Sequence, residues 1–117
     1  MAELRIGNQA RGQVLAERAR LADSFWTRAI GLLGSRDVGG GLVLEPCSSV
    51  HTWFMGYAID VLFLDINGRV LAVYAALPPW RMTRWVRGAT RVVELAAGGA
   101  GATEVGDQLE CVPCALS

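Results

Sequence analysis

The chain has no lysine: all eleven of its basic residues are arginine, set against eleven acids. Formal charge is therefore zero, so no net field gathers nucleic acid or an anionic membrane around the molecule. It has one histidine, and any imidazole chemistry must use His51. No apolar run reaches the roughly 18 residues of a membrane span, because Asp60, Asp65 and Arg69 interrupt the longest stretches. The opening MAELRIGNQARG lacks the apolar stretch of a secretory signal. Cysteines are few and odd in number, Cys47, Cys111 and Cys114, which fits a reducing compartment better than a disulfide scaffold. The expectation is a soluble, cytoplasmic protein with no membrane span. Charged residues make up only 19% of the chain and apolar residues 52%, which excludes disorder. A length of 117 residues fits a single domain, 1–117, with one real core.

Several chemical signatures are also missing. There is no nucleophile elbow with a Ser-His-Asp order, no phosphate-cradling glycine loop followed by lysine, and no histidine pair for zinc. Gly39-Gly40-Gly41 lacks the strand-to-helix setting of a phosphate loop. Cys47, His51, Cys111 and Cys114 would form a legitimate zinc set. However, the Cys111-x-x-Cys114 pair sits at the chain end, a loose tail over 111–117. The expectation is free thiols, or a partial pairing within Cys111–Cys114, with no metal and no cofactor.

What is present is frequent punctuation, 14 glycines and 4 prolines, between short apolar runs. That pattern predicts a mainly β domain, a small sandwich or barrel. Leu4–Ile6 reads as an edge strand. Leu42–Leu44, Ser48–Phe54, Val70–Leu77, Arg91–Leu95 and Gln108–Val112 read as further strands. Ile59–Ile66 is apolar on both faces and should be a central, doubly covered strand. Asn67-Gly68 predicts a tight type I′ hairpin to Val70–Leu77. One period change stands out: Asp23 and Ser24 can cap a helix, and Phe25, Ala29, Leu32 and Leu33 recur at helical spacing. One short α-helix is expected at about residues 24–34.

The segments Arg28-Ala-Ile-Gly31-Leu32-Leu33, Pro46–Met55, Ile59–Asp65, Val93–Gly98 and Gly106-Asp107, in this order and spacing, resemble a family of bacterial and archaeal proteins. It is the domain of unknown function 192, also called uncharacterised protein family 0127. The resemblance covers about residues 14–110, and its specific part is His51–Asp65. It implies a compact, mainly β fold with a short helix, and no established reaction. Many relatives carry an export signal; the Cys111–Cys114 motif falls outside the family pattern.

Two groups of residues are candidates for function. The first is Arg28, His51, Thr52, Met55, Asp60 and Glu94. A histidine beside Met55 on one strand face could line a ligand pocket or act as a base. Asp60 opens an apolar strand, so it must be solvated, bonded to backbone donors or paired with a cation. Arg28 is the best-placed cation, either as a structural link from helix to sheet or as an anion clamp. Asp65, beside the turn, reads as a turn residue. The second group is Trp80, Arg81, Arg84, Trp85 and Arg87. Between Ile66 and Val93 the chain carries five arginines and no acid. Arginine interleaved with tryptophan suits protein interfaces and single-stranded nucleic acid, although it also suits a solvated edge. The expectation is a non-enzymatic module binding a small anionic ligand or a protein partner at the first group, with Trp80–Arg91 as a rim. Two alternatives stand beside it: an enzyme using His51 as general acid or base with Arg28 as clamp, and an anionic partner held by Trp80–Arg91. Zero net charge disfavours nucleic acid.

Overall fold

The computed structural model describes residues 2–22, 40–52 and 56–114. The expected helix at 24–34, with Arg28, and Met55 lie outside the described residues. The described residues form seven strands: β1 Glu3–Asn8, β2 Gln13–Ala22, β3 Leu42–Leu44, β4 Ile59–Leu64, β5 Val70–Leu77, β6 Arg91–Ala96 and β7 Leu109–Pro113. They form one sheet in the order β5-β4-β6-β3-β2-β1-β7. Neighbours are antiparallel except β2 and β3, which run parallel. The mainly β reading is borne out.

β4 is buried along all six residues, as its two-faced apolar sequence requires. Leu62 and Leu64 enter one core cluster with Leu4, Ile6, Val43, Val93 and Leu109. Ile59, Val61 and Phe63 enter another with Leu42, Leu44, Val50 and Val92. The first cluster draws on strands from across the whole sheet and so marks the concave, inner face. The sheet curls until its two edges meet at one end. There the Val70 amide donates to the Asp107 carbonyl (2.9 Å), Gly106 to Val70 (2.8 Å) and Leu109 to Gly68 (2.9 Å). The result is a half-barrel.

The outer face is closed differently. β5 and β6 flank β4, both antiparallel to it. Leu77 ends β5 beside Ile59, whereas Arg91 opens β6 beside Leu64. Residues 78–90 must therefore travel back along β4, about 20 Å at roughly 3.4 Å per residue. They form a strap over the outer face, with Val86 and Ala89 packed onto the outer cluster.

Three expectations are corrected. Ser48–Phe54 is not a regular strand through Thr52; it has a single isolated bridge, His51 to Met82. A side chain takes a ladder position: the Val50 amide donates to the Thr83 hydroxyl (3.0 Å). The β4–β5 hairpin exists, but not on a type I′ turn. The Gly68 amide donates to the Asp65 carbonyl (3.0 Å), so Ile66 and Asn67 are the central residues. Gly68 alone of the turn takes positive φ (85°), as in a longer turn closed by a glycine bulge. Asp65 is the turn residue expected: its carboxylate accepts from the amides of Asn67 (2.8 Å) and Arg69 (3.0 Å). Finally, Leu4–Ile6 is not an edge, because β7 pairs along β1 from Leu4↔Pro113 to Asn8↔Leu109. The C-terminal segment is thus part of the sheet as far as Pro113, and the Cys114 amide still donates to Glu3 (3.0 Å).

Candidate functional site

Asp60 and Glu94 lie in neighbouring strands but on opposite faces, since side chains alternate along each strand. Asp60 pairs in register with Leu95 on the inner face, whereas Glu94 pairs with Val61 and Leu42 on the outer face. Asp60 is 3% exposed. Its Oδ1 accepts from the Ala76 amide (2.8 Å), and its Oδ2 from the amides of Gly98 and Ala100 (3.0 Å each). The β4–β5 register slips between Ile59↔Leu77 and Val61↔Tyr74, and Ala76 in that bulge has φ of 49°. A left-handed alanine costs roughly 1–2 kcal/mol; the charged acceptor under its amide offsets that cost. Asp60 therefore joins a bulge of β5 to the turn after β6. Backbone donors were one of the three provisions open to it from sequence. Glu94 is fully buried.

His51 and Thr52 belong with the strap. Thr52 is completely buried. Its hydroxyl donates to the Pro78 carbonyl (2.7 Å) and accepts from the Arg81 amide (2.8 Å). Its backbone amide donates to Arg81 (2.7 Å), and its carbonyl accepts from Trp80 (3.1 Å). Further along, the Thr83 amide donates to Val50 (2.9 Å) and Val86 to Ser48 (2.8 Å). The structure thus brings His51 and Thr52 together with Trp80–Val86 in one irregular ladder, and places Asp60 on the other face.

This ladder fixes the backbone of the strap but leaves its side chains outside. Trp80 is 60% exposed, Met82 64% and Trp85 75%. Arg81, Arg84 and Arg87 are exposed beside them. Elsewhere arginines meet acids: Arg5 with Glu17, Arg11 with Asp107 and Glu104, Arg18 with Glu3, and Arg91 with Glu45. Arg81, Arg84 and Arg87 make no ion pair among the described residues. Met82 completes this surface and was missed in the sequence, where a lone methionine carries no signal.

A second feature was also missed. Where the two sheet edges meet, a shallow depression of about 320 Å³ opens between Asn67, Arg91, Gln108, Glu110 and Cys111. Its residues come from separate segments, so no local motif announces it. Arg91 is fixed by Glu45, whose Oε2 accepts from Nη2 (2.6 Å) and Nε (3.1 Å). Burial pushes the Cys111 thiol above its ordinary range, against the opposing pull of the Arg91 guanidinium. At the same end, Asp107 is held down at about 2, first by the Arg11 guanidinium (2.6 Å) and then by the Asn8 carboxamide and the Glu104 amide (3.0 Å each).

Cys47, Cys111 and Cys114 are not joined in a disulfide. Cys111 and Cys114 stand three residues apart along extended chain, about 10 Å at the rise of a strand, which is too far for a disulfide. Cys47 packs into the outer cluster and Cys111 against the inner one. Among the described residues, no three metal-ligating side chains converge. No helix of the described residues is long and apolar enough to cross a membrane.

These features define a small half-barrel domain, one face closed by its own strands and the other by a basic, aromatic strap. The chain belongs to the DUF192 family (Uncharacterized ACR, COG1430), whose model matches residues 6–111. It is similar to a UPF0127 protein of Thermococcus sibiricus, 32% identical over 88% of this chain and 71% of that protein. UPF0127 protein PF1050 of Pyrococcus furiosus is 36% identical over 88% of this chain and 94% of its own length. Among solved structures, a protein of unknown function from Novosphingobium aromaticivorans shares the fold, with a TM-score of 0.69 and 18% identity. That match covers 92% of this chain and 83% of that one.

Proposed function

We propose that the protein is a binding module that holds an acidic, partly apolar segment of a protein partner along the strap. The observation that carries this reading is the contrast among the arginines: among the described residues Arg81, Arg84 and Arg87 make no ion pair, while Arg5, Arg11, Arg18 and Arg91 do. Three neighbouring cations without acids repel one another, and an acidic chain relieves that repulsion. Trp80, Met82 and Trp85 add exposed apolar area of the kind that anchors interfaces. The backbone beneath is hydrogen-bonded through Thr52 and Thr83, so docking needs little ordering of the strap. An acidic, partly apolar peptide is favoured over a polyphosphate because Trp80, Met82 and Trp85 offer exposed apolar area that apolar side chains can cover and a polyphosphate cannot. His51 borders this surface through its bridge to Met82.

The test is fluorescence anisotropy with a labelled peptide of alternating glutamate and leucine, beside a single-stranded oligonucleotide of equal charge. The peptide is expected to bind more tightly, with affinity falling as salt rises. Arg84→Ala with Arg87→Ala should weaken it about tenfold or more, the cost of roughly 1.4 kcal/mol. Unchanged binding in that variant, or tighter binding of the oligonucleotide, would overturn the reading.

A further inference from the structure

We propose that the depression at the meeting of the sheet edges binds a zwitterionic α-amino acid with an apolar side chain. At about 320 Å³ the cavity stands at the small end of ligand pockets. Its chemistry is amphoteric. Arg91 supplies a guanidinium whose Nε and Nη2 both donate to a single oxygen of Glu45, so the side chain is oriented while further donors remain for a carboxylate.

The carboxamides supply the opposite need. The Gln108 amide nitrogen donates to the carbonyls of Asn67 (2.5 Å) and Leu109 (3.2 Å). Both partners can only accept, which settles the orientation of the group and leaves its Oε1 as an acceptor. Gln9 donates in the same way to Glu110 (2.9 Å) and keeps its own oxygen, and the Glu110 carboxylate adds a negative charge. These acceptors suit an ammonium. Ile66, Leu109 and Cys111 give the lining an apolar share.

The walls are also held in place. A Cβ on Gly68 would stand 2.5 Å from the Leu109 carbonyl oxygen, so turn and strand are in close backbone contact, and the Leu109 amide donates to Gly68 across that contact.

The intact protein would be titrated with L-leucine, with 4-methylpentanoate, which lacks the ammonium, and with isopentylamine, which lacks the carboxylate. Two readouts serve: the side-chain amide resonances of Gln108 and Asn67, and the alkylation rate of Cys111 by iodoacetamide at about pH 8.5. Cys114 is the internal reference, since it does not line the depression. L-leucine should shift both amides and slow Cys111 alkylation several-fold, leaving Cys114 unchanged. Each truncated probe should bind about tenfold more weakly. Arg91→Lys keeps a cation beside Glu45 and should lose the carboxylate selectivity. Equal binding of the three probes, or a Cys111 rate that L-leucine leaves unchanged, would overturn the proposal; both are read on the unmodified protein.

Discussion

The two faces of this sheet are closed in different ways. The inner face is closed by curvature: strands meet strands, and the buried Asp60 is answered by the backbone of Ala76, Gly98 and Ala100. The outer face is closed by connecting chain, held by backbone hydrogen bonds and by the hydroxyls of Thr52 and Thr83. A face closed by strands has little outer surface left for chemistry. A face closed by a strap presents a row of side chains whose backbone is already fixed. Partner docking is therefore expected on the second and stability chiefly on the first, and this contrast can be broken by mutation.

The largest effect is expected at Asp60. Asp60→Ala leaves three amides without their acceptor, those of Ala76, Gly98 and the buried Ala100, at up to roughly 1–3 kcal/mol each. With partial relaxation the total should be about 3–5 kcal/mol. Chemical denaturation checks this, and Asp60→Asn, which retains one oxygen, should recover part of it. At Gly68 the joint of the inner face is tested: Gly68→Ala adds a Cβ at 2.5 Å from backbone at φ of 85°, and about 2–3 kcal/mol should be lost. Thr52→Val keeps the shape but removes the hydroxyl between Pro78 and Arg81, for about 1–2 kcal/mol. Its signature is local: hydrogen exchange should quicken at Arg81 and Thr83 while β4 stays protected.

The smallest effect is one of pH. Asp107 is held down to about 2 in the folded chain, below the ordinary carboxylate range, chiefly by the Arg11 guanidinium. Its contribution is thus fully present above about pH 4 and lost as pH falls from there through about 2. Asp107→Asn should flatten the acid limb of a stability–pH curve across that window, and an unaltered limb would count against the Arg11–Asp107 contact.

Much of this architecture is legible in the residues. The two-sided apolar run of β4, the hairpin after it and the turn role of Asp65 follow from local pattern. So does the basic, aromatic character of Trp80–Arg87. What local pattern does not carry is pairing across long sequence separations. Gln108–Val112 reads as a strand, but Cys111–Cys114 looks like a loose tail until β1 is placed beside it, and Leu4–Ile6 then ceases to be an edge. Asn67-Gly68 suggests a two-residue turn, yet the Asp65 carboxylate accepts two turn amides and favours a longer one. Asp60 and His51 sit close in sequence, but strand alternation puts the first under the inner face and a connecting ladder holds the second on the outer. The depression around Arg91 joins segments that no local window contains together.

The central claim is that the strap recognises an acidic partner by charge and aromatic contact. Charge exchange tests it most directly. The protein carrying Arg84→Glu and Arg87→Glu, shown by its melting curve to be folded, would be titrated with the glutamate–leucine peptide and with its lysine–leucine counterpart. The account predicts that the acidic peptide is lost and the basic one gained, each by about tenfold or more. An acidic peptide that binds the exchanged surface as well as the original would contradict it.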